Sequence, residues 1–541
     1  MEIFQSPNIL NWYPFNKTQK VLEVGNKSEE LTKFLIDKCS SIQKISKIEE
    51  LENIDAKFDI IILIGINENE KINLKNLVRR LEAFLEMDGR ILLAVDNKFG
   101  LRFWAGNPEN ILEKKFTSLL GYNNEYEKIE TYTKRYIETQ LKEIGYKTRF
   151  YYPLPDYRRP NVIFSDDALP EYNSIDKYNP YYTGKSDILF NEIDVFREIL
   201  KTDKDMFTFF ANSFLVEVIK KEKEYDTTYN YISYNNLRKE KYRLITKISN
   251  TYVEKQIVNE KAEEHYENIK NNIKILQENN IKTVDYIDED KIKSKYIEQK
   301  YLLNNVLTEK LEKGQVEEFD NIIKNYIKQI SVKTYKENNY ENTAFGKYGV
   351  EVKDKSIIQD LNFVKNGMWD MTFKNCFLID NQFYFFDQEW NEPNLPVEYI
   401  LYRAILYTIS LRRFVSIEKL FDKYNLSKYI TLFEQLDNKI QEEIRDDEVW
   451  KFYSQNHDFN IDGTKQELKN LQIRSEAQQT EINNLNERFN AQQLENNNLK
   501  ENNKLLQEEL NKSNKERERL QTAINNTFLN KVKRKIKKIV K

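Results

Sequence analysis

Three short apolar runs, separated by helical patterns, constrain the fold of the first part of this chain more than any other feature. They are Lys20-Val21-Leu22-Glu23-Val24-Gly25, Phe58-Asp59-Ile60-Ile61-Ile62-Leu63-Ile64-Gly65 and Gly89-Arg90-Ile91-Leu92-Leu93-Ala94-Val95. Leu31, Phe34 and Leu35 recur at helical spacing after the first run, and a helix is predicted from about Leu74 to Leu85 after the second. Runs this short and continuous suit strands buried on both faces, and their alternation with helices implies a parallel sheet covered on both sides. Residues 1–222 are therefore expected to form an α/β Rossmann-like domain. One crossover unit takes about 30 residues or more, so the stretch from Gly25 to Ile60 has room for one.

The pattern then changes. Tyr242 to Ile248 and Tyr252-Val253-Glu254-Lys255 alternate as two strands around a turn at Ser249-Asn250, and Ala262, Tyr266, Ile269, Ile273 and Leu276 mark one stripe of a long helix. Further on, Trp369-Asp370-Met371-Thr372-Phe373-Lys374-Asn375 leads into Cys376 to Ile379, a turn at Asp380-Asn381, and an aromatic run that closes on Asp387-Gln388-Glu389-Trp390. A hairpin alone accounts for the turn. It does not account for Asp370 and Asn375. Residues 228–455 read as a second, bilobal α+β domain.

From residue 464 the apolar positions follow a heptad. Leu468, Ile482, Phe489, Leu510 and Ile524 fall on one seam position, Leu471, Leu485, Leu499, Leu506 and Leu520 on the other. The seam runs for about eight heptads without proline, and Asn496 and Asn503 within it favour two parallel strands. Residues 464–528 are expected to be a parallel coiled coil that pairs the chain as a homodimer, a charged single helix being the alternative. In the tail, residues 529–541, the last eleven positions hold seven Lys or Arg, with Val532, Ile536, Ile539 and Val540 on one helical face. Such a helix suits an anionic membrane surface, and the acidic balance of the remaining chain argues against nucleic acid as partner.

Composition closes off several classes. Two histidines and two distant cysteines, Cys39 and Cys376, leave no material for a serine-histidine triad, a zinc site or a disulfide framework. The start of the chain lacks a basic signal-peptide region and no apolar run reaches 18 residues, so the expected location is cytoplasmic, peripheral at the inner face of the cell membrane.

Two resemblances add to this reading. The runs ending in Glu23-Val24-Gly25, Ile64-Gly65 and Val95, with Asp96-Asn97-Lys98-Phe99-Gly100-Leu101-Arg102-Phe103-Trp104-Ala105-Gly106 and Tyr151-Tyr152-Pro153-Leu154-Pro155-Asp156-Tyr157, resemble class I S-adenosylmethionine methyltransferases, in the form found beside bacterial surface-polysaccharide enzymes. That resemblance implies a methyl-donor site using Glu23 and Gly25. The chain departs from the family's E-x-G-x-G-x-G turn, reading Glu23-Val24-Gly25-Asn26-Lys27-Ser28-Glu29, and Ile42-Gln43-Lys44-Ile45 offers no acid for the donor's ribose. A domain kept for packing or docking is the alternative. The second resemblance, carried by Asp370, Asn375 and Asp387, is to the aminoglycoside-phosphotransferase branch of kinase-like enzymes. It implies Mg-ATP as cofactor: Asp370 as catalytic base, Asn375 and Asp387 on the metal, Lys255 on the phosphates paired with Glu263, and Glu298 at the adenine hinge.

The two domains together resemble the bifunctional kinase-methyltransferases that cap O-antigen chains. This combined resemblance implies phosphoryl transfer to a sugar hydroxyl of an envelope glycan or its lipid-linked precursor, and with it termination of chain growth. The alternatives are S-adenosylmethionine-dependent methylation of the same glycan, and a non-catalytic dimeric scaffold or length-setting partner for a glycosyltransferase.

Overall fold

The three apolar runs are strands. In the computed structural model, which describes residues 6–25, 28–65, 73–109, 112–121, 131–172, 175, 178–182, 188–225, 228–453, 507–508 and 510–523, β1 (Lys20–Val24), β2 (Ser41–Ile45), β3 (Phe58–Ile64) and β4 (Leu85–Asp96) lie parallel in the order β2-β1-β3-β4. Along β3, Ile61 and Leu63 enter the core on one face of the sheet, while Ile60, Ile62 and Ile64 enter the core on the other. Both faces are covered, which is why the run is continuous rather than alternating.

Helix α1 (Glu29–Lys38) makes the crossover from β1 to β2. A 3-10 turn, Ile48–Asn53, then returns the chain to β3, and among the described residues no strand lies beyond β2. The room between Gly25 and Ile60 is thus spent on one helix and one edge strand. After α2 (Leu74–Glu82) and β4 come α3 (Leu101–Trp104), α4 (Thr117–Leu120), α5 (Lys134–Lys142), β5 (Tyr146–Leu154), β6 (Val162–Ser165), α6 (Glu192–Thr202), α7 (Asp205–Phe210) and β7 (Ser213–Lys220). Strand β7 runs antiparallel between β4 and β5.

The sheet continues past residue 222. Strand β8 (Tyr229–Tyr234) pairs with β6, and β9 (Leu244–Ser249), β10 (Tyr252–Ile257), β11 (Asp285–Asp288) and β12 (Lys291–Lys295) extend it to twelve strands in the order β11-β12-β10-β9-β8-β6-β5-β7-β4-β3-β1-β2. Between β10 and β11 lies α8 (Glu263–Glu278), whose Ile269 and Ile273 pack with Leu244 of β9 and Ile292 of β12. A helical lobe follows: α9 (Leu303–Glu312), α10 (Val316–Ile330), α11 (Ala344–Lys347), α12 (Val397–Leu406), α13 (Ile417–Lys423), α14 (Ile430–Ile444) and α15 (Asp447–Tyr453), most of them around a core that includes Tyr326, Phe373, Tyr399 and Phe433. Set into this lobe is a hairpin, β13 (Cys376–Ile379) and β14 (Gln382–Phe385). Its turn residues Asp380 and Asn381 have φ of 49° and 59°, the left-handed pair that two-residue hairpins favour.

The described residues up to 453 belong to one compact unit, and residues 507–508 and 510–523 to another. The latter are helical, with the seam residues Leu510 and Leu520 exposed. The rest of the expected coiled coil and the whole basic tail lie outside the described residues. Among those described, no helix is long and apolar enough to cross a membrane.

Candidate functional site

In doubly wound sheets, ligands settle at the carboxyl edge where successive connections diverge to opposite sides. Here that switch point falls between β1, which leads outward to β2, and β3, which leads to β4. Both strands end on a left-handed glycine, Gly25 at φ 75° and Gly65 at φ 62°, a conformation in which a Cβ is strained. Glu23 is fully buried and accepts a hydrogen bond from the Thr32 hydroxyl at 2.8 Å, tying β1 to α1. The Ser28 hydroxyl accepts from the Leu31 amide at 3.2 Å and caps α1. No acid stands on β2. Residues 26 and 27 lie outside the described set.

Further along this edge, the two segments that carried the methyltransferase resemblance are locked to each other. Buried Arg102 pairs with buried Asp156, the Tyr181 hydroxyl donates to the same carboxylate at 2.7 Å, and Arg158 grips Asp96 at the end of β4 at 2.7 and 2.9 Å. Burial would raise the Asp156 pKa, but Arg102 and Arg158 override it and the carboxyl lies below the usual range. Neighbouring Glu192 accepts from the Asn212 amide at 3.0 Å, yet burial pushes it up to about 7 against the pull of Arg102.

A second cluster forms where β10, the loop before β13 and the segment after β14 converge. Buried Lys255 donates to the carboxylates of both Asp387 and Glu389. Burial alone would lower the Lys255 pKa; the two carboxylates override it and drive it up. Asp387 adopts φ 60°, strain that the fold holds in part through its amide, which donates to Asp285 at 2.8 Å. The Asp285 carboxyl is raised to about 6 by burial, opposed by its bond from Ser294.

Asp370 lies within electrostatic reach of Asp387 and Glu389. Burial raises its pKa to about 6, with Arg403, whose guanidinium is 3.7 Å away, pulling it down. That value is close to the range in which a carboxylate works as a general base. The side-chain amides of Asn375 and Gln388 both donate to the Asp370 carbonyl at 3.1 Å and so fix the loop. Among the described residues no group of three or more His, Cys, Asp or Glu is arranged to hold a metal unaided. A Mg²⁺ carried on phosphates asks for less, one or two carboxylates being usual, and Asp387 and Asn375 offer hard oxygen atoms of that kind.

One expectation needs correction. Glu263 is not the partner of Lys255: it is exposed in the first turn of α8, where the helix dipole favours an acid in solvent, and Glu389 holds the lysine instead. The α8 side chain beside this cluster is His265, 3.7 Å from Glu389 and tilted at 36° against Trp390 with ring centroids 4.6 Å apart. Glu298, expected at a hinge where backbone would pair with adenine, lies on the exposed link between β12 and the helical lobe, with its carboxylate 2.8 Å from Lys300. Glu389, Arg238, Arg403 and Asp285 were not singled out in the sequence. The signal for Glu389 was limited to its being a second acid in an aromatic run, two residues after Asp387.

No family model and no curated protein matches the chain. Solved structures similar to it include a SAM-dependent methyltransferase from Archaeoglobus fulgidus, 13% identical over 40% of this chain and 95% of that one with a TM-score of 0.24. Another is a SAM-dependent methyltransferase from Thiobacillus denitrificans in complex with S-adenosyl-L-homocysteine, 10% identical over 40% and 91% with a TM-score of 0.22. WbdD is 10% identical over 80% of this chain and 87% of its own, with a TM-score of 0.19. At such scores the functional reading rests on the chain's own geometry.

Proposed function

We propose that this chain is a transferase acting on a bacterial envelope glycan or its lipid-linked precursor, with a methyl-donor site at the switch point of its sheet. The observation that carries this reading is the pair of left-handed glycines, Gly25 and Gly65, ending β1 and β3 where a doubly wound sheet takes its ligand. S-adenosylmethionine would supply an electrophilic methyl group there. Glu23 holds β1 to α1, and Gly25 leaves the strand end free of a side chain. Calorimetric titration of the full chain with S-adenosylmethionine tests it. Binding is expected in the wild type and not in Gly25→Val, and a wild type that does not bind overturns the reading.

Phosphoryl transfer is a second reading, favoured by one specific observation: Lys255 and Asp387, brought together beside Asp370 and Asn375, are the residue types that a phosphate-borne Mg²⁺ and an acceptor hydroxyl require. Asp370 would take the hydroxyl proton, and Asp387 with Asn375 would hold the metal of Mg-ATP. Asp387→Ala is expected to abolish Mg²⁺-dependent ATP binding; retention of binding overturns this assignment. Binding of neither donor by the wild type favours the scaffold alternative. The coiled coil would pair two such units, and the basic tail would hold them at the inner face of the cell membrane, near the glycan and a partner glycosyltransferase.

A further inference from the structure

Two carboxylates converge on Lys255, and they differ in one respect that separates their roles. The Asp387 side chain is 42% exposed, whereas that of Glu389 is 3% exposed. A ligand entering from solvent can reach the first and not the second. Glu389 also has a second cation: one of its oxygens accepts from Lys255 and the other from Arg238, on the connection between β8 and β9. Helix α8 reaches Lys255 by a different route, the Tyr266 hydroxyl donating to the lysine's backbone carbonyl at 3.0 Å.

From this geometry we infer that Glu389, clamped by Arg238, is the positioning residue for Lys255, leaving Asp387 free to turn to a metal. The inference rests on the phosphoryl-transfer reading and adds to it a fixed counter-charge on the strand-end segment in place of one on the helix. With Asp387 on Mg²⁺, Lys255 would keep one buried partner, Glu389, and so a fixed position for its charge. Without Glu389 the ammonium would lose its one fully buried counter-charge.

The test uses the full chain and two measurements, Mg-ATP affinity by calorimetry and Mn²⁺ affinity at saturating ATP by electron paramagnetic resonance. Glu389→Gln is expected to weaken Mg-ATP by about tenfold or more, the loss of one charge-assisted bond, while Mn²⁺ affinity stays within about twofold of wild type. In a Lys255→Met background the same change should cost no further ATP affinity, because Glu389 acts through the lysine. Glu389→Asp keeps the charge, is expected to give an intermediate loss, and replaces Glu389→Gln should that variant not fold. A fall in Mn²⁺ affinity matching that of Asp387→Ala makes Glu389 a metal ligand and overturns the inference. Unchanged Mg-ATP affinity in Glu389→Gln overturns it while leaving the phosphoryl-transfer reading intact. A wild type that does not bind Mg-ATP overturns both.

Discussion

Glu192→Gln should stabilise this protein above neutral pH and leave it nearly unchanged in mild acid. Glu192 opens α6, is 1% exposed, and accepts a bond from Asn212. Burial raises its pKa to about 7, and Arg102 offsets that only in part. An unfolded chain would titrate the same group near about 4.3. The folded state therefore holds a proton that the unfolded state has released. The stability this contributes is fully present below about pH 4.3 and is lost as pH rises to about 7. Each pH unit of that gap is worth about 1.4 kcal/mol, so ionisation of Glu192 costs on the order of 3 kcal/mol by pH 8. Glutamine matches the shape of the protonated acid and cannot ionise. Denaturant unfolding of wild type and variant from pH 5 to pH 8.5 isolates the effect, since every other titrating group is common to both chains. The stability difference should widen with pH by about 2 to 3 kcal/mol in favour of the variant. A difference independent of pH, or a variant less stable at pH 8, would refute the reasoning and show that Arg102 holds Glu192 ionised in the folded state.

Arg102→Met removes the partner of buried Asp156 and should cost about 3 to 5 kcal/mol, read as an earlier unfolding midpoint in denaturant. Gly367→Ala should cost about 1 to 3 kcal/mol, because the added Cβ would sit against Leu395 and 2.7 Å from the Glu392 carbonyl oxygen, across the paired backbone bonds that hold Gly367 three residues before Asp370; differential scanning fluorimetry checks it. Deleting residues 531–541 should abolish sedimentation of the chain with phosphatidylglycerol vesicles while leaving the thermal midpoint of the first compact unit unchanged, since that unit does not include the tail.

The sequence was most informative where one local pattern decides the structure. Continuous apolar runs identified β1, β3 and β4 because both faces of those strands are covered, and Asp380-Asn381 marked the β13–β14 hairpin because few residue pairs accept two left-handed positions. The limit came where a partner is remote. Helix α8 carries Glu263, Glu264 and Glu267, and spacing alone does not separate a carboxylate facing a buried lysine from one in the solvated first turn. The actual partner, Glu389, stands 134 residues from Lys255, beyond the reach of any periodicity. Composition of the run does not single it out either: of the two acids in Phe383-Tyr384-Phe385-Phe386-Asp387-Gln388-Glu389-Trp390, Asp387 is 42% exposed and Glu389 3% exposed, and only the buried one strictly requires a cation. The extension of one sheet through β6 and β8 was hidden for the same physical reason, since a sequence shows which residues will make strands and leaves unstated which distant strand will satisfy their backbone. Charge neutrality in the core is the complementary constraint: buried Lys255 and Arg102 each demanded an acid, and the acids that answered, Asp387 with Glu389, and Asp156, are those around which the candidate sites are built.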